Sequence, residues 1–118
     1  MDQKRLAHVT KIWQKRLRLQ DWQVHVQLEP PEKMETELGI SMVQPEELVA
    51  SIRIQDGQDD ATTLATLVHE LLHLRLAPFD ADWQMGHEAQ ETAINLLASV
   101  LIAAFSRTQK GKDTNGRA

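Results

Sequence analysis

Residues 59–78 read DDATTLATLVHELLHLRLAP, and the rest of the chain is best understood outward from them. Asp59 and Asp60 supply an N-cap and negative charge where a helix dipole favours it, and Pro78 stands where the helix must stop. The stretch therefore predicts a helix ending near Ala77. Leu64, Leu67, Val68, Leu71 and Leu74 give it a broad apolar face, while Thr62, Thr66, His69 and His73 form a second, polar stripe. A polar stripe through an otherwise buried helix needs a physical reason. Residues four apart lie about 40° apart around the axis and one turn along it, so His69 and His73 present both imidazoles to one point. Glu70, about 100° further round, can reach a group held there without ligating it.

Upstream, Leu6, Val9, Trp13 and Leu17 recur at spacings of three and four with Ile12 beside them, which predicts an amphipathic first helix ended by Gln20-Asp21. The period changes to two from Trp22: Trp22, Val24, Val26 and Leu28 alternate with Gln23, His25 and Gln27, a half-buried strand stopped by Pro30-Pro31. A second strand is predicted from Leu38 to Gln44 and a third from Leu48 to Gln55, joined by Pro45-Glu46-Glu47 as an antiparallel hairpin. Downstream of the turn at Pro78–Asp82, a last helix is expected from about Trp83 to Phe105. The order describes an α+β domain: an N-terminal helix, a small three-stranded antiparallel-type sheet, the His-bearing helix and a C-terminal helix carrying glutamates. One domain is expected over 1–106, with 107–118 a disordered polar tail.

Composition narrows the chemistry. A chain of 118 residues with 42% hydrophobic and 25% charged residues is that of an ordinary globular domain. There is no cysteine, so a metal must be held by histidines and carboxylates. No apolar run approaches the roughly 20 residues of a bilayer span; the longest, Ala93 to Phe105, is interrupted by Asn95 and Ser99. No membrane is expected, and the charged N-terminus lacks a secretory apolar segment, so a cytoplasmic location is expected. A net charge of −4 argues against nucleic acid as a partner, and the basic run Lys4 to Arg18 reads as a solvated helix face lacking the interleaved aromatics of single-strand binders.

His69-Glu70-Leu71-Leu72-His73 is an HExxH pattern. It places two metal ligands and, at Glu70, the general base of a metal-dependent hydrolase. A catalytic zinc ion (Zn2+) generally takes a third protein ligand and keeps one position open. A third histidine six residues after His73 is excluded, because that position is Phe79, and Leu76 stands where that pattern needs glycine. On the last helix, Glu91 falls on the same stripe as Ile94, Ala98, Ile102 and Phe105, and a carboxylate heading an apolar stripe wants a positive partner. Glu91 is therefore the preferred third ligand. Glu88, about 60° away, is the alternative metal ligand, its plainer role being a solvated first-turn acid. Asn95, one turn beyond Glu91, is placed to orient a ligating histidine. His87 is open to three readings: a ligand, a catalytic transition-state donor, or a helix-start histidine.

His69, Glu70, His73, Glu91 and Asn95 together resemble the gluzincins, zinc metallopeptidases in which a second helix supplies Glu and, four residues later, Asp or Asn. The pattern is most similar to the minimal, roughly hundred-residue members, small metallopeptidase-like proteins of bacteria and prophages, over Trp22 to Phe105. SprT-like proteins share the layout with a third His, for which only His87 is at hand; ImmA/IrrE-like regulatory proteases have an Ala-rich Glu helix partly matched by Glu88 to Ala98. The resemblance implies a zincin-like fold and a zinc metallopeptidase that hydrolyses a peptide or protein substrate with an activated water and Glu70 as base. Many gluzincins stabilise the oxyanion with Tyr or a distant His. This chain has no Tyr, which leaves His87, His25, Arg53 or the zinc alone. An extended substrate is expected to add as a strand beside Leu48 to Gln55. In so short a chain the cleft is shallow, so specificity is broad or activity weak or latent. The rival expectation is a catalytically silent zinc-binding regulatory or interaction protein. Leu96, Leu97 and Val100 lie away from the Glu91 stripe, so the last helix is either wrapped by the other elements or a self-association surface, the latter giving a homodimer.

Overall fold

The computed structural model describes residues 1–76 and 87–117, and of His87 and residues 108–117 the backbone alone. The chain forms two units, Met1–Gln84 and Met85–Ala118. The first opens with helix α1, Gln3–Arg16, capped by the Asp2 carboxylate, which accepts the Arg5 N–H at 2.8 Å. Its buried residues, Leu6, Thr10 and Trp13, keep the predicted three-and-four spacing. The helix stops before Gln20-Asp21 because residues 17–19 close it: Leu19 N–H donates to Gln14 C=O at 2.7 Å and Arg18 N–H to Lys15 C=O at 3.1 Å. This is a Schellman-type end with Arg18 left-handed at φ 58°.

Strand β1 spans Gln23–Glu29, a short helix α2 spans Pro31–Met34, and strands β2, Gly39–Gln44, and β3, Val49–Gln55, form the predicted hairpin. The loop between them ends at Leu48, left-handed at φ 56°, as a four-residue connection built on a tight turn requires. The sheet order is β1-β3-β2. β3 pairs antiparallel with β2 but parallel with β1, Gln23 facing Val49 and Glu29 facing Gln55. The sheet is thus mixed, and the expectation of an antiparallel type is corrected. Period-two alternation reports which face a residue occupies and is silent on strand neighbours. Here the chain crosses through α2 to the far edge, and the hairpin then returns β3 into the middle.

One sheet face carries Val24, Val26 and Leu28 of β1 in register with Ala50, Ile52 and Ile54 of β3, the last three each only 1% exposed. Helix α3, Asp60–Leu76, packs on β2 and β3, and α1 packs on β1 and on α3. Asp59 caps α3: its carboxylate accepts the Thr62 N–H at 2.7 Å. That backbone hydrogen bond, with one from the Thr62 side chain, holds the Asp59 carboxyl below its ordinary range. Leu67, Val68, Leu71 and Leu74 of α3 are fully buried.

The second unit is built on helix α4, His87–Arg117. Its expected start near Trp83 lies outside the described residues, and its backbone continues beyond Phe105 through the polar segment to Arg117. Ile94 and Ala98 are buried, as their stripe predicted, while Leu96, Leu97 and Val100 are exposed. By length and composition alone Glu88–Arg107, with mean hydropathy 1.3, is long and apolar enough to cross a membrane, although Asn95 and Ser99 interrupt its apolar run.

Candidate metal centre

Helix α3 delivers His69 and His73 as the spacing predicts. Their Nε2 atoms are 3.2 Å apart and their rings meet edge to face, centroids 4.9 Å apart. Both rings are half-buried, with a hydroxyl turn below them in which Thr66 Oγ1 donates to Thr62 C=O at 2.8 Å. That hydrogen bond satisfies the threonine within the helix, so the polar stripe narrows to the two imidazoles. His69 and His73 place two ligand atoms side by side on α3, and Glu91 stands on α4 in the second unit; these three residues could supply a metal ion with a His-His-Glu donor set. Glu91 is half-buried and Glu88 exposed. Asn95 is exposed on the next turn of α4, and His87 is the first residue of that helix, its side chain outside the described residues.

Glu70 is 6% exposed. Among the described residues no hydrogen bond or ion pair reaches its carboxylate and no fully buried side-chain oxygen is left unpaired, so the carboxylate tip keeps contact with solvent. Its neighbour is a backbone. A Cβ added at Gly39 would stand 2.5 Å from Thr66 Cγ2 and 3.2 Å from both Cγ and Oε1 of Glu70. Only glycine lets β2 run this close to α3, a use of glycine that depends on space. Gly39 was missed in the sequence, although an isolated glycine inside a strand pattern is the signal for close backbone approach.

The strand expected to receive a substrate, Leu48 to Gln55, is the central one. Its two sides are taken by β1 and β2, so it has no edge, and the expectation is corrected. The edge over α3 is β2. Gln55 N–H donates to Leu38 C=O at 2.8 Å, and pairs in an antiparallel ladder alternate. Ile40, Met42 and Gln44 therefore bond to β3, while the N–H and C=O groups of Gly39, Ser41 and Val43 point away from it. Among the described residues nothing hydrogen-bonds to these outward groups.

His25 and Arg53 are removed from the candidate oxyanion donors. In register they share the face opposite Ile52 and Ile54, lining a shallow groove with Gln27, Met42 and Ser51, whereas Gly39 and α3 lie on the other face. No family model matches the chain, and no curated protein or solved structure matches it.

Proposed function

We propose that this protein is a zinc-dependent peptidase in which His69, His73 and Glu91 hold the metal and Glu70 is the general base. The observation that carries the reading is the geometry of one turn of α3: two imidazole nitrogens 3.2 Å apart, with Glu70 between them in sequence, a largely buried residue whose carboxylate has no protein partner among the described residues. Two ligands at about 2.0–2.1 Å from a tetrahedral zinc ion stand about 3.3–3.4 Å apart, so the spacing of the pair matches that ion. Two histidines and one carboxylate are a donor set typical of catalytic zinc, which leaves a fourth position for chemistry. When bound, zinc supplies Lewis-acid polarisation of a carbonyl and makes a water acidic enough to attack near neutral pH.

Glu70 then takes the proton of the attacking water and passes it to the departing amine. A structural site has no use for such a base. β2 orients the substrate: an extended peptide pairs with the outward N–H and C=O groups of Gly39, Ser41 and Val43, with Gly39 against Glu70. Three alternating residues fix register, so the scissile bond is held at one place along the strand.

The test is Glu70→Gln in the zinc-loaded protein, assayed on an unfolded protein substrate. Hydrolysis should fall by about 10²- to 10⁴-fold with zinc stoichiometry unchanged. Equal hydrolysis by the variant would end the assignment of Glu70, and an inert zinc-loaded parent would leave a metal-binding protein without peptidase activity.

A further inference from the structure

The charge of this chain is unevenly placed. Between Glu32 and Glu47 stand five carboxylates, Glu32, Glu35, Glu37, Glu46 and Glu47, against the single cation Lys33. The whole chain carries a net charge of −4, so the remainder is balanced and the excess lies around β2. All six of these side chains are exposed. Glu35 and Glu37 precede the strand and Glu46 and Glu47 follow it, and six residues of strand set the two groups about 20 Å apart, the length of a bound heptapeptide. An acidic surface alone would recognise nothing in particular. This one brackets a strand whose outward backbone groups are unpaired among the described residues, and whose first residue abuts Glu70, a residue 6% exposed whose carboxylate has no protein partner among them and keeps contact with solvent.

We infer that β2 selects extended peptide segments rich in Lys and Arg, with the flanking glutamates reading charge and the strand edge reading backbone. The inference rests on the reading of β2 as the substrate edge and adds the substrate class. Uncharged and acidic segments make the same backbone hydrogen bonds, so discrimination comes from the field of the four flanking carboxylates. It is therefore sensitive to salt, because exposed charges are screened over roughly 8–10 Å at physiological ionic strength.

The experiment uses the full chain carrying Glu70→Gln, loaded with zinc, and three fluorescent heptapeptides alternating valine with lysine, glutamine or glutamate. Fluorescence anisotropy at about 20 mM salt should give the lysine peptide at least about tenfold tighter binding than the glutamate peptide, shrinking to about twofold near 200 mM. Glu35→Lys, Glu37→Lys, Glu46→Lys and Glu47→Lys combined, all at exposed positions, should invert the order. N-methylation of alternate amides in the lysine peptide should abolish binding. Equal affinities, an unchanged order in the charge-reversed variant, undiminished binding of the N-methylated peptide, or no binding of any peptide would each overturn the inference. The two readings separate with the unsubstituted protein. Cleavage of all three peptides with equal kcat/KM leaves the peptidase and removes the selectivity, whereas charge-selective binding without cleavage leaves the selectivity and removes the peptidase.

Discussion

The two edges of the sheet are treated in opposite ways. On β1, the Gln3 side chain closes the edge as another strand would: its Nε2 donates to Val26 C=O at 2.8 Å and its Oε1 accepts Leu28 N–H at 2.9 Å. One side-chain amide from α1 copies a peptide group, so two of the outward β1 groups cannot template another chain. On β2, the equivalent groups of Gly39, Ser41 and Val43 have no such cover among the described residues, and that edge runs over Glu70. An open edge is an aggregation liability that proteins commonly block. Where one edge is closed and the other left open beside a buried carboxylate, the open one is the candidate for function.

The contrast can be broken most severely by proline. Met42→Pro removes an N–H from the β2–β3 ladder and should lower the midpoint of a denaturant titration more than any other substitution here. Ser41→Pro removes an outward N–H instead, so it should leave the unfolding midpoint nearly unchanged while peptide binding weakens; equal destabilisation by the two would show that the edge groups are misassigned. Next in size is Gly39→Ala. Its methyl would meet Thr66 and Glu70, so a loss of about 1–3 kcal/mol is expected, with hydrolysis falling more than stability explains because β2 is levered away from α3.

The closed edge gives a smaller effect. Gln3→Ala should lose about 1 kcal/mol by denaturant titration and leave zinc binding unchanged, and light scattering should show more self-association once β1 is uncovered. Smallest is the cap of α3. The folded-state Asp59 carboxyl lies below its unfolded value, so its contribution to stability is present above the unfolded pKa and is lost as pH falls through the folded one. Acid titration of the melting temperature should show this loss, and Asp59→Ala should flatten it.

The helices were legible because each signal is local: Asp59 caps α3 through Thr62, and His69 and His73 meet because a helix fixes where residues four apart must point. The β2–β3 hairpin was legible for the same reason, being two alternating runs joined by Pro45-Glu46-Glu47. The position of β1 was not, since Val24, Val26 and Leu28 alternate identically whether their neighbour is β2 or β3 and whichever way it runs. The expectation that Leu48 to Gln55 offers an edge followed from that one ambiguity. Gly39 escaped notice because its meaning depends on Thr66 and Glu70, residues 27 and 31 positions further on, which no local pattern connects to it.

The parallel pairing of β1 with β3 also orders the assembly of the chain in time. Gln44 meets Val49 across five positions, whereas Gln23 meets Val49 across 26. Closing the longer loop costs more chain entropy before any contact rewards it. On loop closure alone, the hairpin is expected to form ahead of the pairing of β1 with β3. Pulse-labelled amide exchange during refolding reads that sequence directly, with the β2–β3 ladder protected before Gln23, whose N–H donates to Leu48 C=O. During the interval β3 offers a temporary edge of its own, along Ala50, Ile52 and Ile54, and the rate at which β1 arrives limits how long nascent chains remain able to pair with one another.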